Sequence, residues 1–526
     1  MMRNARQGNV ARGASTPPPV KGLNTTRAYS DLKEDEAAIL DNWFPEYGRV
    51  SIRNGSISHA YSQLELHTED GEEITDETGE ILITEGGATT SFLSLLSYSA
   101  GGNKTLFAAT STDVYDVSST GQVTSADITG LSGGYWSSQM FATSGGNFLF
   151  CANGVDAPRY YDGSTWTTPS ITGITPTDVK QINVHKRRLW LVLKDALKAA
   201  YFPVETIAGS VSVFDLGPIF RKGGSLVAMG TLTRDGGDGL DDLAAFITSE
   251  GEVAIYQGTD PSSANTWGLV GVFQIGRPIG PNCLQKLGPE LLVLCEDGFG
   301  ELSQVITRAQ TEPARLSRAI APSITLDARQ HFGDRKWQFC FYPKGQKLFV
   351  NVPDSRQYVM NTETLAWTQF RGWNASAMIV HDGELYVADG TEVYKADTGT
   401  SDRGEIIDAD ALTGAQYMGA RGRLKRFTMC RPILETTGTP QPTLGLHVDF
   451  KDATLGAAAI TTAPVTPKWG TAQWGDPWGV SERVTAEWQS VDGIGYSAGL
   501  RMKLRTKTAT VKWLSTDWLY EPGGYV

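Results

Sequence analysis

Apolar and polar positions alternate along most of the chain, in short runs separated by turn residues. Leu385-Tyr386-Val387-Ala388 leads into Asp389-Gly390, and Val393-Tyr394 follows, so this stretch predicts a β-hairpin. An ungapped echo stands far upstream at Leu106–Tyr115, where Leu matches Leu, Phe matches Tyr, Ala matches Ala, Thr matches Thr and Val-Tyr matches Val-Tyr. Apolar runs of the same kind begin near Leu106, Phe148, Leu189, Phe246, Leu291, Leu348 and Leu385, and each predicts the inner arm of a repeated unit. Their spacing of roughly 37 to 57 residues is that of β-propeller blades.

A four-stranded antiparallel unit cannot bury both of its faces alone. Radial stacking of such units buries them and leaves only short edges. Closing the ring calls for a strand from one end of the chain to complete a blade built from the other, and Arg49–Ile57 is the strand expected beside the Leu385 hairpin. The expected fold is therefore all-β: a β-propeller of about seven blades, with six or eight as alternatives, and an added C-terminal β domain. A pair of β-sandwiches would explain the alternation but not the matching hairpins at both ends.

Five segments follow from this reading. Residues 1–16 carry Arg3, Arg6 and Arg12 without an acid, and predict a flexible basic arm. Residues 17–58 open on Pro17-Pro18-Pro19 and hold a short helix over Ser30–Trp43, with Leu32, Ile39, Leu40 and Trp43 on one face, followed by the closing strand. Residues 59–90 contain many acids and no Lys or Arg, and predict a protruding acidic hairpin. Residues 91–401 form the propeller. Residues 402–526 form a Trp-rich β domain containing Trp469, Trp474, Trp478, Trp488, Trp513 and Trp518.

Composition narrows the function. The net charge of −12 and a pI near 5.1 argue against a basic groove that wraps nucleic acid, though an acidic wall would let a strand pass without sticking. The cysteines number five, are widely spaced and form no C-x-x-C pair, which predicts buried thiols rather than disulfides or a zinc site. No apolar run approaches ~20 residues, so no membrane-spanning segment is expected. The N-terminal arginines lack the apolar core of a secretory signal.

Local motifs are weak. Gly130-Leu131-Ser132-Gly133-Gly134 matches G-x-S-x-G, but Tyr135-Trp136 follows where a helix is needed, so Ser132 is not expected to be a nucleophile. Asp162-Gly163-Ser164-Thr165-Trp166 resembles part of a sialidase Asp-box and reads as a blade turn. Residues 236–243 match one copy of a calcium-binding nonapeptide that works only in stacks. They read as a polar loop, with calcium there or on the 59–90 acids as the minority alternative. The six histidines are scattered. No catalytic, cofactor-binding or metal-binding residue is nominated, no cofactor is expected, and the chain is not expected to be an enzyme.

Longer stretches carry a resemblance. Pro18–Thr25, Leu40–Glu46 and above all the run from Phe220-Arg221-Lys222-Gly223-Gly224 through Thr233–Gly239 and Thr248–Pro261 to Val272–Gly280 resemble a family of short-tailed (podovirus-type) phage proteins similar to tail nozzle, or tail-tube hub, proteins. The run from 220 to 280 is its most specific part, and residues 59–90 depart from the pattern. The resemblance implies a structural virion protein: a propeller that assembles in the host cytoplasm into a homo-oligomeric, hexameric ring lining the DNA exit channel of the phage tail. It also implies a tail adaptor ring and tail fibre or needle proteins as partners, and transient, non-specific contact with passing genomic DNA. The alternatives are a propeller enzyme that cleaves glycan, a host-binding tail adhesin using 402–526, and a head-completion protein.

Overall fold

The computed structural model describes residues 11–62, 91–235, 240–308, 316–419, 421–451, 455–463 and 482–525. They fall into two compact units. One comprises Ser58–Ser355 and Trp373–Ala396; the other comprises Met1–Ile57, Arg356–Gly372 and Asp397–Val526.

The first unit is a β-propeller. Its seven innermost strands are Ser94–Ala100, Ser137–Thr143, Val179–His185, Leu226–Asp235, Leu284–Leu287, Gln338–Tyr342 and Ala377–His381, taken as the first strands of blades one to seven. Each lies beside the next and the last lies beside the first, so the ring is closed. Neighbouring inner strands run in the same sense: Gln181 reaches Met229, and Asn183, two residues on, reaches Thr231.

Antiparallel second strands follow at Asn103–Ala109, Gly146–Ala152, Arg188–Leu193, Leu240–Thr248, Glu290–Cys295, Lys347–Val352 and Glu384–Asp389. The seven apolar runs sit on these strands, not on the innermost ones as their reading as inner arms implied. The reason is burial on two sides. Leu189 and Leu191 pack with Phe141 and Phe150 of blade two, while the alternate residues Trp190 and Val192 pack with Met229 and Phe246 of blade four. A second strand thus has no wet face, whereas an innermost strand turns one face to the axis.

The ring closes in blade seven. Its order is Ala377–His381, Glu384–Asp389, Glu392–Ala396, then Ser56–Tyr61 from the start of the chain. The echoing hairpins are neighbours: Leu106, Ala108 and Tyr115 of blade one share a core with Ala388 and Val393 of blade seven and with Ala60 of the closing strand. The closing strand is therefore Ser56–Tyr61 and not Arg49–Ile57. Arg49–Ile52 is committed elsewhere, pairing with Trp43–Glu46 and with Lys512 and Trp513. Gly55 packs against Ser401, where a Cβ would stand 1.9 Å from the carbonyl oxygen.

The second unit contains two sheets. In one, the long strands Arg423–Thr436 and Val511–Tyr525 pair antiparallel. In the other, Glu36–Asp41, Ile407–Thr413, Ala498–Thr506 and Thr443–Val448 lie side by side. Period-2 alternation buries Leu500, Met502 and Leu504 of the second sheet and Cys430 and Leu434 of the first, where a register shift after Phe427 buries that residue as well. Trp43 and Trp513 pack with ring centroids 5.9 Å apart.

Two expectations fail here. The helix over Ser30–Trp43 is absent: a 3₁₀ turn at Tyr29–Asp31 precedes the strands Glu36–Asp41 and Trp43–Glu46. A register shift between Ala37 and Ile39 lets Ala37 and Leu40 both face inward, and that spacing of three imitates a helical stripe. The basic arm also ends earlier than 16, because Arg12–Thr16 is a strand on the edge of Val511–Tyr525. The Trp-rich region is not self-contained, since strands from before residue 58 complete both of its sheets. The rest of the arm, residues 63–90 of the acidic hairpin, and Trp469, Trp474 and Trp478 lie outside the described residues.

Candidate functional site

The axis of the propeller is the concave site of the first unit. Its inner wall is positioned by side chains that bridge blades. Gln181 accepts from the Met229 amide at 3.1 Å and donates to the Met229 carbonyl at 3.2 Å. Gln338 does the same to Met378, at 2.9 and 2.8 Å. Each amide thereby satisfies both backbone groups of one residue on the next inner strand, as a ladder partner would. Ser94 plays a similar part between blades one and two, donating to Gly134 and accepting from the Trp136 amide. His185 shares Thr231 with Asn183, its Nδ1 standing 3.1 Å from the threonine hydroxyl.

Inside this ring lies a cavity of about 1040 Å³. Its wall is mixed, with Leu95, Val184 and Ile379 beside Ser138, Gln139 and Gln285. Among the described residues, four cationic side chains line it, Lys186, Arg187, Lys286 and Arg335, against one carboxylate, Asp242. Asp242 accepts a 2.7 Å hydrogen bond from Thr233 and stands 4.0 Å from Lys186. The sequence reading missed this cavity. Its residues come from all seven inner strands and from loops and second strands beside them, and the polar positions that mark it are the ones that looked unremarkable between apolar runs.

The motifs weighed from sequence are dispersed. Ser132 sits in a loop, and its amide donates to the carboxylate of Asp156, as does that of Gly133. Asp162 closes the turn between two strands of blade two, accepting from the Ser164 and Thr165 amides, both at 2.8 Å. Those donors hold its carboxyl below the usual range. Of the 236–243 stretch, residues 236–239 lie outside the described residues, and Leu240 begins the second strand of blade four. Among the described residues no group of three His, Cys, Asp or Glu side chains could hold a metal ion. All five cysteines are free and buried, and burial pushes the Cys283, Cys340 and Cys430 thiols up to about 12. Among the described residues, no helix is long and apolar enough to cross a membrane.

Two histidines make ring contacts with one tyrosine of blade seven. His59, on the closing strand, lies 5.0 Å from the Tyr386 ring, and its Nε2 is 2.9 Å from the Val117 carbonyl. The ring of His381 lies 6.1 Å from that of Tyr386, and its Nδ1 is 2.8 Å from the Ser97 hydroxyl. Burial lowers the pKa of both imidazoles.

In the second unit the buried polar centre is Arg53. It donates to both oxygens of Asp402, at 2.9 and 2.5 Å, and its Nε donates to Asn42 at 2.8 Å. A separate cavity of about 470 Å³ adjoins this pair. The charges around it are matched across strands: Arg371 donates to Asp41, Arg501 to Asp410, and Arg505 pairs with Asp408 at 2.7 Å.

A comparison with protein-family models finds no match, and a comparison with curated proteins finds none. Among solved structures, the chain is similar to the β-propeller domain of Myceliophteria thermophila Cps50 (Swd1), at 13% identity and a TM-score of 0.39, covering 60% of this chain and 98% of that one. It is also similar to the computationally designed protein Ika8, at 12% identity and a TM-score of 0.35, covering 68% and 96% respectively. A third likeness is to BBS1N crystallised with ARL6DN, at 10% identity and a TM-score of 0.29, covering 48% and 74%. Likenesses this distant carry no function, and the propeller assignment stands on the closed ring of seven inner strands.

Proposed function

We propose that the chain is a structural virion protein: a propeller-based tail nozzle of a short-tailed phage, assembling as a ring, hexameric by resemblance, around the DNA exit channel. The observation that carries this reading is where the resemblance falls. The run from 220 to 280 is not scattered over the surface. Its matching stretches gather in blade four, on parts of Leu226–Asp235 and Trp267–Gln274 and on the whole of Glu252–Gly258.

The outermost strand of that blade also has the character of a contact surface. Trp267–Gln274 contains no charged residue, and Leu269, Val270 and Val272 stand 45%, 45% and 38% exposed. An apolar edge without lysine or proline invites another chain. A ring needs two unlike patches per subunit, and this strand supplies one of them. A glycan-cleaving mechanism would use two carboxylates, while Asp242 is the one carboxylate among the described residues lining the axis.

The test is native mass spectrometry with electron microscopy of the purified full chain. A closed ring with a central channel is expected. A chain that stays monomeric at all accessible concentrations overturns the proposal.

A further inference from the structure

Cations outnumber acids among the described residues that line the axial cavity of this acidic chain. The whole protein carries −12, yet among the described residues lining the cavity four cations stand against one carboxylate. Two of its four cations have local acids: Lys186 faces Asp242, and Arg187 is paired with Glu205. The other two do not. Lys286 and Arg335 make no ion pair among the described residues, and Arg335 instead rests 5.8 Å from the Tyr135 ring.

These two stand toward opposite ends of the axis. Lys286 is one residue from the end of its inner strand, Leu284–Leu287, whereas Arg335 precedes the start of Gln338–Tyr342. Because the inner strands run in one sense, strand starts and strand ends mark the two mouths. Between them the wall offers uncharged hydrogen-bonding groups. The side chains of Ser138 and Gln139 make no hydrogen bond among the described residues. Cations inside a low-dielectric wall concentrate the field and attract anions far more strongly than they would on an open surface. Phosphate groups suit such a site, since Arg and Lys bind them through charge-assisted hydrogen bonds and amides satisfy the remaining oxygens.

We propose that the axial cavity binds an elongated, phosphate-bearing small molecule, with Lys286 and Arg335 each holding one end and Gln139 donating between them. The ligand is either a free condensed phosphate or a sugar carrying phosphate at two positions. The site belongs to a single chain, so it stands whether or not the chain forms a ring.

The experiment is calorimetric titration of the full-length protein with sodium tripolyphosphate and, separately, with fructose 1,6-bisphosphate; orthophosphate serves as the short control. One of the two long probes is expected to bind more tightly than orthophosphate, and the tighter of them identifies the source of the phosphate. Lys286→Gln and Arg335→Gln are each expected to weaken that binding about tenfold, the loss of a single charge-assisted contact. Both side chains are solvent-accessible and unpaired, so the variants should melt with the parent, which checks their folding. Failure of both long probes to bind more tightly than orthophosphate overturns the proposal, as does unchanged affinity in either variant.

Discussion

Gln181 and Gln338 perform one task at two places in the ring. Each pairs with the amide and the carbonyl of a single methionine on the next inner strand. Truncating either to alanine leaves two backbone groups without their partner. The expected cost is about 1–3 kcal/mol, seen as a lower denaturation midpoint and as faster hydrogen exchange at the Met229 or Met378 amide. Arg53 in the second unit is more costly to disturb. Its side chain is fully buried, and Asp402 is its counter-charge. Asp402→Ala strands that guanidinium and should lower stability by about 3–5 kcal/mol, measured by chemical denaturation. Neither role was legible from sequence, because the partners lie 48, 40 and 349 positions away.

Blade seven is the element on which closure depends, and it is the one that should respond to pH. Burial is the chief cause that lowers the pKa of His59 and of His381. Lys395 lowers His59 further and Lys104 lowers His381, while the Val117 carbonyl favours the charged form of His59 and Asp382 and Asp116 favour that of His381. Tyr386, in ring contact with both, is itself raised by burial, and Glu384 is held low by Lys344 and Lys395. A histidine whose folded pKa is depressed contributes stability that is complete above its unfolded value near 6.5 and is lost as pH falls through the folded value. The melting temperature should therefore drop on going from pH 8 to pH 5, and His59→Gln with His381→Gln should flatten that dependence. Ala60→Glu tests the same element by charge. Ala60 is fully buried in the core shared with blade one, so an unpaired carboxylate there should release the closing strand. Faster hydrogen exchange across Glu392–Ala396 would report it.

At the scale of the whole molecule the open question is assembly. Leu269 and Val272 lie on the uncharged outer strand of blade four. Leu269→Lys with Val272→Lys places two cations on that edge, which is how soluble proteins guard exposed strands. In light scattering the double variant should remain monomeric where the parent forms a ring, with an unchanged melting temperature because both side chains are exposed. An assembly that survives both lysines would move the contact to another surface.

What the sequence determined by itself was the repeated unit. Local alternation, turn residues and the echo between Leu106–Tyr115 and Leu385–Tyr394 are short-range properties, and they sufficed for an all-β ring of about seven blades with its two ends adjacent. The order of strands within a blade was decided by tertiary structure, since only stacking tells a strand covered on both faces from one that borders the axis. Tertiary structure also decided the fate of Glu36–Asp41. Its inward residues share the spacing of a helix, and pairing with Ile407–Thr413 made it a strand. The axial cavity belongs to the same class. Its charge is a sum over residues from several blades, and it exists only once the ring is closed.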